Sequence, residues 1–195
     1  MAEKTGDRKD QILQTLAQML ENPAGEKVTT AALAAHLKVS EAALYRHFKG
    51  KAEMFEGLIE FIEHALFGLI NRITGEEKSG MRQVESIIAV LLAFAQKNRG
   101  MTRVLIGDAL VNEDERLQLR INQLHERLEA ALKQALRFGV SQKEIAQEVD
   151  ISAQANLIMS FVTGRWHQFA KSGFKRDPVE LWNRQWRQLM EGVVA

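Results

Sequence analysis

Apolar residues recur along this chain at intervals of three and four positions over almost its whole length. That spacing places them on one face of an α-helix, whereas the strict alternation typical of a half-buried β-strand is almost missing. Only two prolines, Pro23 and Pro178, interrupt the pattern. The sequence therefore predicts an all-α protein, with three short helices followed by about six longer ones.

The three short helices fall in the first fifty residues. The first is predicted over about 8–22 and ends at Asn22-Pro23-Ala24-Gly25, because proline cannot continue a helix cheaply. The second follows Thr29 and Thr30. The third covers about 41–47, and Ser40 before it is a good N-cap residue. The predicted core face of the first helix consists of Ile12, Leu16, Met19 and Leu20.

The longer helices begin near Gly50. A fourth helix is predicted to about Ile73, then a loop over 74–80 and a central helix over 85–96 that is apolar nearly all round. A further helix is predicted over about 101–110. The next begins at a cap formed by Asn112 with Glu115 and runs to about Phe138, where Gly139 is the stop. The last two helices are predicted over about 151–172 and 178–192. Residues 141–150 fit either a loop or a short helix. The main stripe of the fourth helix is Phe55, Ile59, Ile62, Leu66, Leu69 and Ile73.

Composition limits the function classes. Apolar residues make up 46% of the 195, enough for a sizeable core, and the absence of cysteine excludes disulfides, thiol catalysis and thiolate metal sites. No apolar run reaches the ~18 residues of a membrane span, and the N-terminus lacks the apolar stretch of a secretory signal. We therefore expect a cytoplasmic protein. The net charge is only +1, but residues 38–51 carry four Lys or Arg against one acidic residue, Glu41.

Residues 28–51 have the spacing of a helix-turn-helix unit: two short helices joined by about three residues, the second of which would enter a major groove. The stretch VSEAALYRHFKGK, residues 39–51, combines bare alanines with a tyrosine and clustered cations. An amphipathic helix pair with a merely solvated basic face is the alternative. The residues expected to face inward are Leu33, Leu37, Val39, Leu44 and Phe48.

Each outward position of this unit has a predicted contact. Ser40 and Glu41 would bond to base edges, while Ala42 and Ala43 would allow close approach and contact thymine methyl groups. Thr29, Thr30 and the backbone N–H groups after them would hold one phosphate. The remaining candidates for the DNA backbone are Tyr45, Arg46, His47, Lys49 and Lys51, with Arg46 also able to reach guanine.

The unit resembles the DNA-binding module of TetR-family regulators, whose pattern ends in Tyr-x-x-Phe followed by a lysine. Here those residues are Tyr45, Phe48 and Lys51. The resemblance implies a DNA-binding domain over 1–51, a helical core and dimerisation domain over 52–195, and a homodimer formed by the last two helices. Its recognition helices would lie about 34 Å apart on a palindrome. Lys38 stands where the family commonly has glycine, and a left-handed lysine would cost roughly 1 kcal/mol. Either the turn differs slightly from that of the family, or Lys38 contacts a phosphate.

Over 39–48, 58–66, 100–110 and 115–130 the sequence is similar to a branch of that family that acts in nucleoid occlusion. Its members bind palindromic chromosomal sites and, when bound to DNA, antagonise polymerisation of the division protein FtsZ. The resemblance places the FtsZ-binding residues at Phe61, Val90, Ala93, Lys97 and Asn98. From spacing alone, packing of Phe61 under the first helix is the alternative. Lys97 replaces an arginine of the pattern and Leu69 replaces a basic residue, which weakens the expected contact because Arg and Lys are not interchangeable.

Other constellations predict little chemistry. Glu60, Glu63 and His64 lie on one flank of a helix. A solvated face is a simpler interpretation of this cluster than a metal site. Trp182 and Trp186 could form a ligand cage, but dimer packing, with Trp166 and Phe169 as the other half, is favoured. No phosphate loop or nucleophile motif occurs, so we expect neither an enzyme nor a cofactor. Two other functions remain open: a repressor released by a small ligand bound among helices four to eight, and a helical adaptor.

Overall fold

The computed structural model describes residues 5–22 and 28–194, with side chains from Arg8 onward. All its long elements are α-helices, which confirms the predicted all-α fold. The only extended pairing in the described ranges is an isolated antiparallel bridge between Ile145 and Val194. The helices are α1 Thr5–Met19, α2 Thr30–His36, α3 Glu41–Tyr45, α4 Lys51–Glu76, α5 Gly80–Lys97, α6 Arg99–Leu105, a 3₁₀ helix Asp108–Leu110, α7 Glu115–Ser141, α8 Ile151–Lys171 and α9 Trp182–Leu189.

The chain forms two compact units. The first contains Met1–Ile62 and Asn98–Ile121, and the second contains Glu63–Lys97 and Asn122–Ala195. The division falls within α4 and α7. It differs from the domain boundary predicted after residue 51, which stays a prediction about function.

In the first unit, α1 packs against α2 and α6. Ile12, Leu16 and Leu20 are buried as predicted, but Met19 is half-buried, and Thr15 and Ala17 complete the inward face. The α6 backbone approaches α1 so closely that a Cβ on Gly100 would lie 1.9 Å from the carbonyl oxygen of Ala17. Glycine at this position therefore sets the distance between the two helices. The predicted break at residues 23–25 lies outside the described residues.

In the second unit, α5 and α8 form the centre. Trp166 of α8 is fully buried, and its indole Nε1–H donates to the carbonyl oxygen of Leu91 at 3.0 Å. As predicted, α5 is buried on most sides. A Cβ on Gly80 would lie 2.1 Å from the amide nitrogen of Gly139, so α5 and α7 touch backbone to backbone. The prediction that Gly139 stops its helix is wrong, because α7 continues to Ser141.

The fourth helix and its loop differ from the prediction. α4 extends to Glu76 and α5 begins at Gly80, so the loop is shorter than 74–80. The amide of Gln83 explains this, since its Nε2 donates to the carbonyl oxygens of Thr74 and Glu77 at 3.4 and 2.8 Å and closes the end of α4. Leu69 is 39% exposed and Ile70 only 2%, so the apolar stripe shifts by one residue near its end.

Three further helix ends differ. Asn112 does not cap α7: it has φ 63°, and Asp114 instead accepts the backbone N–H of Arg116 at 3.0 Å. The helix predicted over 101–110 is broken at Gly107, where φ is 76°. The last helix is shorter than predicted, because Pro178 lies in a turn in which Asp177 accepts the N–H of Val179 at 2.9 Å.

Candidate nucleic-acid interface

A tight turn sets the angle between α2 and α3. Lys38 has a left-handed φ of 55° although it stands where the family commonly has glycine, and the next amide, that of Val39, donates back to the carbonyl oxygen of Ala34 at 3.0 Å. Leu33 of α2 and Leu44 of α3 are both 1% exposed, and Phe48 is 4% exposed. Leu37 and Val39 are half-buried rather than buried. These contacts hold α3 on the first unit with its opposite face toward solvent.

The beginning of α2 is joined to α3 by a hydrogen-bonded triad. The Thr30 hydroxyl donates to Glu41 Oε2 at 2.7 Å and accepts from the Tyr45 hydroxyl at 3.4 Å. Beside it, the Thr29 hydroxyl accepts the N–H of Ala32 at 3.1 Å and caps α2. One carboxylate oxygen of Glu41, predicted to reach base edges, is thus already engaged within the protein. The triad fixes the ring of Tyr45 across the two helices.

The exposed side chains in the first turn of α3 are small or polar. Ser40, Glu41 and Ala42 are exposed, and Ala43 is half-buried. Ser40 occupies the predicted N-cap position, but its side chain makes no capping hydrogen bond. α3 ends at Tyr45 instead of His47. The two alanine methyl groups leave the helix narrow where a nucleic acid would approach it.

The predicted cations occupy different environments. Arg46 and Lys49 are exposed. His47 is half-buried, and its Nδ1 is buried without a hydrogen-bond partner in the part of the chain that the structure describes. The ammonium of Lys51 forms an ion pair with Glu113 and lies 5.5 Å from the centroid of the Phe55 ring. Three of the four groups therefore follow α3 directly, while Lys51 is held by an internal anion.

The sequence reasoning missed two cations of α1. Arg8 lines an open cleft of about 380 Å³ together with Arg46 and His47. Lys9 places its ammonium 5.3 Å from the centroid of the Phe48 ring. Both residues lie one turn before Ile12 on α1, and Ile12 lines the same cleft as Arg8. Because α1 precedes the helix-turn-helix unit, reading residues 28–51 in isolation leaves them out.

The residues expected to contact FtsZ are partly exposed. In the first unit, Phe61 is 46% exposed and Asn98 is half-buried at the N-cap of α6. In the second unit, Lys97 is exposed, and Val90 and Ala93 are half-buried. A solvent-exposed phenylalanine in the middle of a helix is the unusual feature of this set, since aromatic rings are generally buried.

The last two helices present an apolar surface in the second unit. Leu157 is 52% exposed and Leu181 43% exposed, while Trp186 is half-buried beside Trp182, with ring centroids 5.6 Å apart. A Cβ on Gly164 of α8 would meet no atom within 4 Å. The expectation that Trp166 and Phe169 contribute to a dimer interface is wrong, because both are buried inside the unit, at 0% and 3%.

Other candidate sites are weak. Glu63, one member of the acidic flank on α4, forms an ion pair with Arg127, and the described residues contain no group of three or more potential metal ligands. No helix among them is long and apolar enough to cross a membrane. The second unit has an open cleft of about 410 Å³ between α4 and α7, lined by both apolar and polar residues including Phe67, Gln83 and Phe138.

Comparisons with known proteins cover the whole chain. A family described as "Bacterial regulatory proteins, tetR family" matches residues 12–58, and one described as "Tetracyclin repressor-like, C-terminal domain" matches residues 78–193. A protein of Idiomarina loihiensis named "Nucleoid occlusion factor SlmA" is 49% identical over 195 residues, which are 100% of each chain. A protein of the same name from Marinomonas sp. is 46% identical over 194 residues, 100% of this chain and 98% of that one.

The fold is similar to that of a TetR transcription regulator from Haloarcula marismortui. The TM-score is 0.82 at 15% identity, covering 97% of this chain and 100% of that chain. At this identity the likeness concerns the fold alone. One of the two family matches covers more than half of the chain, and the named relatives are close to half identical over its full length. The chain therefore belongs to the TetR family of DNA-binding regulators, in the branch of the nucleoid occlusion factors SlmA.

Proposed function

We propose that this protein is a sequence-specific DNA-binding nucleoid occlusion factor. Bound to chromosomal palindromes, it antagonises assembly of FtsZ and so prevents division over the nucleoid. The DNA-binding part is carried by the exposed face of α3, and the division role by full-length similarity to proteins named for nucleoid occlusion. The protein acts in the cytoplasm on the nucleoid, without catalysis or cofactor.

On DNA, α3 enters the major groove with its first turn. Ala42 and Ala43 permit close approach, and Ser40 and the free oxygen of Glu41 face base edges. Tyr45 contacts a phosphate from the fixed position that the Thr30 bond gives it. The N-terminal end of α2, at Thr29 and Thr30, takes another phosphate. Arg46, His47, Lys49 and Lys51 complete the backbone contacts, with Arg8 and Lys9 beside them.

The protein acts as a homodimer through α8 and α9. Leu157 and Leu181 expose apolar surface that a monomer would leave in water. Gly164 lacks any neighbour within 4 Å of its Cβ position, which leaves room for the backbone of a second copy. A two-fold dimer would present two α3 helices to a palindrome. Leu157→Glu is expected to halve the mass measured by light scattering, whereas Leu119→Glu, at a site 61% exposed in the first unit, leaves it unchanged.

FtsZ is contacted through Phe61, Val90, Ala93, Lys97 and Asn98. Phe61 is the anchor of this set, because burial of an exposed aromatic side chain is a common source of binding free energy at interfaces. Lys97 adds a charge that an acidic partner segment can pair with. These assignments rest on the resemblance to the nucleoid occlusion branch and on the exposure of each side chain.

The alternative function is a TetR-type repressor released by a small ligand. The open cleft of the second unit is the place where such a ligand would bind. We do not favour it, because Gln83 at this cleft is already bonded to the end of α4 and Trp166 and its neighbours fill the interior of the unit. Genome-wide mapping of bound sites separates the two: many dispersed palindromes favour nucleoid occlusion, and one or two promoter sites favour a repressor.

The direct test is sedimentation of FtsZ polymers with GTP and a duplex selected by this protein from a random library. Wild-type protein with duplex is expected to lower the polymer yield, and without duplex to lower it less. Arg46→Ala, which keeps the fold but loses a DNA contact, should lose the duplex effect. Phe61→Ala should bind the duplex normally and leave the polymers intact. An unchanged polymer yield with wild-type protein and duplex would refute the proposal.

A further inference from the structure

Lys51 and Glu113 form an ion pair inside the first unit. Lys51 is the first residue of α4, six positions after Tyr45, and Glu113 lies in the turn before α7. The two side chains are only 20% and 11% exposed. Among the described residues, the ammonium thus has a carboxylate as its partner and the Phe55 ring 5.5 Å away. The ion pair is therefore largely shielded from solvent, unlike a contact between two fully exposed side chains.

The turn that carries Glu113 is shaped to hold it there. Asn112 has φ 63°, and the N–H of Glu113 donates to the carbonyl oxygen of Leu110 at 3.0 Å. Immediately afterwards Asp114 accepts the N–H of Arg116 at 3.0 Å and begins α7. A backbone fixed on both sides holds the Cα of Glu113 in place, so little backbone ordering opposes the pair.

Bound DNA would offer Lys51 a second anionic partner, a phosphate group. The proposed function uses this lysine to neutralise a phosphate, and a phosphate and a carboxylate would then share one ammonium. Two anions placed around one cation repel each other, and the lysine loses one partner as it gains the other. A lysine that is already neutralised also contributes little to the release of counterions from DNA, which is the main source of affinity for phosphates.

We propose that Glu113 is an internal competitor of DNA. Its carboxylate holds the ammonium of Lys51 away from the phosphate, so that DNA binding exchanges one anion for another and frees the turn before α7. The inference rests on the proposed DNA-binding function and adds to it a residue outside the helix-turn-helix unit. Glu113 acts through Lys51 and is therefore a positioning residue.

The test measures the affinity for a selected duplex as a function of salt in four chains: wild type, Glu113→Gln, Lys51→Gln and the double variant. Glu113→Gln is expected to bind about 2- to 5-fold more tightly, which corresponds to the usual strength of a single ion pair, and its log–log salt slope should steepen by up to ~0.9. Lys51→Gln should reduce affinity by a larger factor in the Glu113→Gln chain than in wild type, because the contact is then unopposed.

The matched control is Glu115→Gln, which removes the same charge two residues later at an exposed position. It should change affinity much less than Glu113→Gln. Thermal unfolding checks the fold of every variant, and Glu113→Asp, which keeps the charge but shortens its reach, should give part of the gain if Glu113→Gln is unstable. Hydrogen exchange at amides 112–116 is a second readout and should quicken when wild-type protein binds the duplex.

Two results would overturn the inference: a Glu113→Gln chain that binds no more tightly than Glu115→Gln, or equal losses from Lys51→Gln in both backgrounds. Failure of the underlying DNA-binding function has a different signature, since the wild-type protein would then enrich no duplex from the library. The competition can still be measured on a non-specific duplex in that case, because phosphate contacts are independent of sequence.

Discussion

Gly80 and Gly139 cross with no side chain between them: a Cβ on Gly80 would lie 2.1 Å from the amide nitrogen and 2.3 Å from the Cα of Gly139. Both neighbours are backbone atoms of α7, which cannot rotate away as a side chain can. A methyl group at this crossing must therefore move one helix relative to the other within the second unit.

Gly80→Ala is expected to destabilise the protein by roughly 1–3 kcal/mol, the usual cost of overpacking, at the upper end of that range. The matched control is Gly68→Ala within α4, where a Cβ meets nothing within 4 Å. Removal of a mid-helix glycine should stabilise by about 0.5–1 kcal/mol. Urea unfolding followed by circular dichroism measures both. Equal effects of the two substitutions would contradict the close crossing.

Lys38→Gly is expected to stabilise the turn by up to ~1 kcal/mol, because φ 55° is unfavourable for a residue with a Cβ. The same substitution at Lys78, exposed in the loop before α5 and without a positive φ, should give no gain. Duplex binding by the Lys38→Gly chain answers a second question. A salt slope reduced by ~0.9 would identify Lys38 as a phosphate contact, and an unchanged slope would exclude that role.

The sequence predicted the helix-turn-helix unit well because local rules determine it. Thr29 is a capping residue by chemistry, and Leu44 and Phe48 are spaced to lie on one face of the unit. These features depend on neighbours within a few positions. They could be inferred before any contact between distant segments was known.

The errors arose where distant segments decide the structure. Gly139 looked like a helix stop, but α7 continues there because α5 packs against its bare backbone. Trp166 was predicted to lie in the dimer interface, but its indole N–H donates to the carbonyl group of Leu91 inside the unit. Spacing along one helix contains no information about these two partners. The cap of α7 is a different, local error: Asp114 replaces Asn112 because Arg116, two residues later, supports it with two further side-chain hydrogen bonds.

Lys97→Arg is expected to increase the antagonism of FtsZ assembly several-fold, because a guanidinium group can bind a carboxylate with two parallel hydrogen bonds and an ammonium cannot. Leu69→Arg, at a site 39% exposed, should act in the same direction. The concentration of protein and duplex that halves the FtsZ polymer yield is the measurement. Lys78→Arg, an exposed change elsewhere, is the control, and an equal effect there would remove Lys97 from the proposed contact.

Glu129 makes stability depend on pH in the second unit. The hydrogen bond from Lys133, at 2.8 Å, and a second from Asn156 hold the pKa of this carboxyl below its ordinary value of 4.5, against the opposing effect of burial. A lowered pKa in the folded state means that the contribution is present above pH ~4.5 and is lost as the pH falls through the folded pKa.

Glu129→Gln is therefore expected to destabilise the protein by about 0.3–0.5 kcal/mol at neutral pH, the usual contribution of such a helical pair. The difference from wild type should shrink as the pH is lowered below ~4.5. Denaturant unfolding at a series of pH values measures it. A difference that stays constant down to pH ~3 would contradict the role assigned to the ion pair.

The distribution of aromatic residues gives one of the two units its own optical reporter. All three tryptophans, Trp166, Trp182 and Trp186, belong to the second unit, and the single tyrosine, Tyr45, lies on the exposed side of α3 in the first. Tryptophan emission therefore follows unfolding of one unit, with a blue-shifted component from fully buried Trp166. Excitation at the red edge of the absorption band, where tyrosine does not absorb, keeps this signal free of Tyr45. Unfolding of the second unit can therefore be followed by itself in one unlabelled sample.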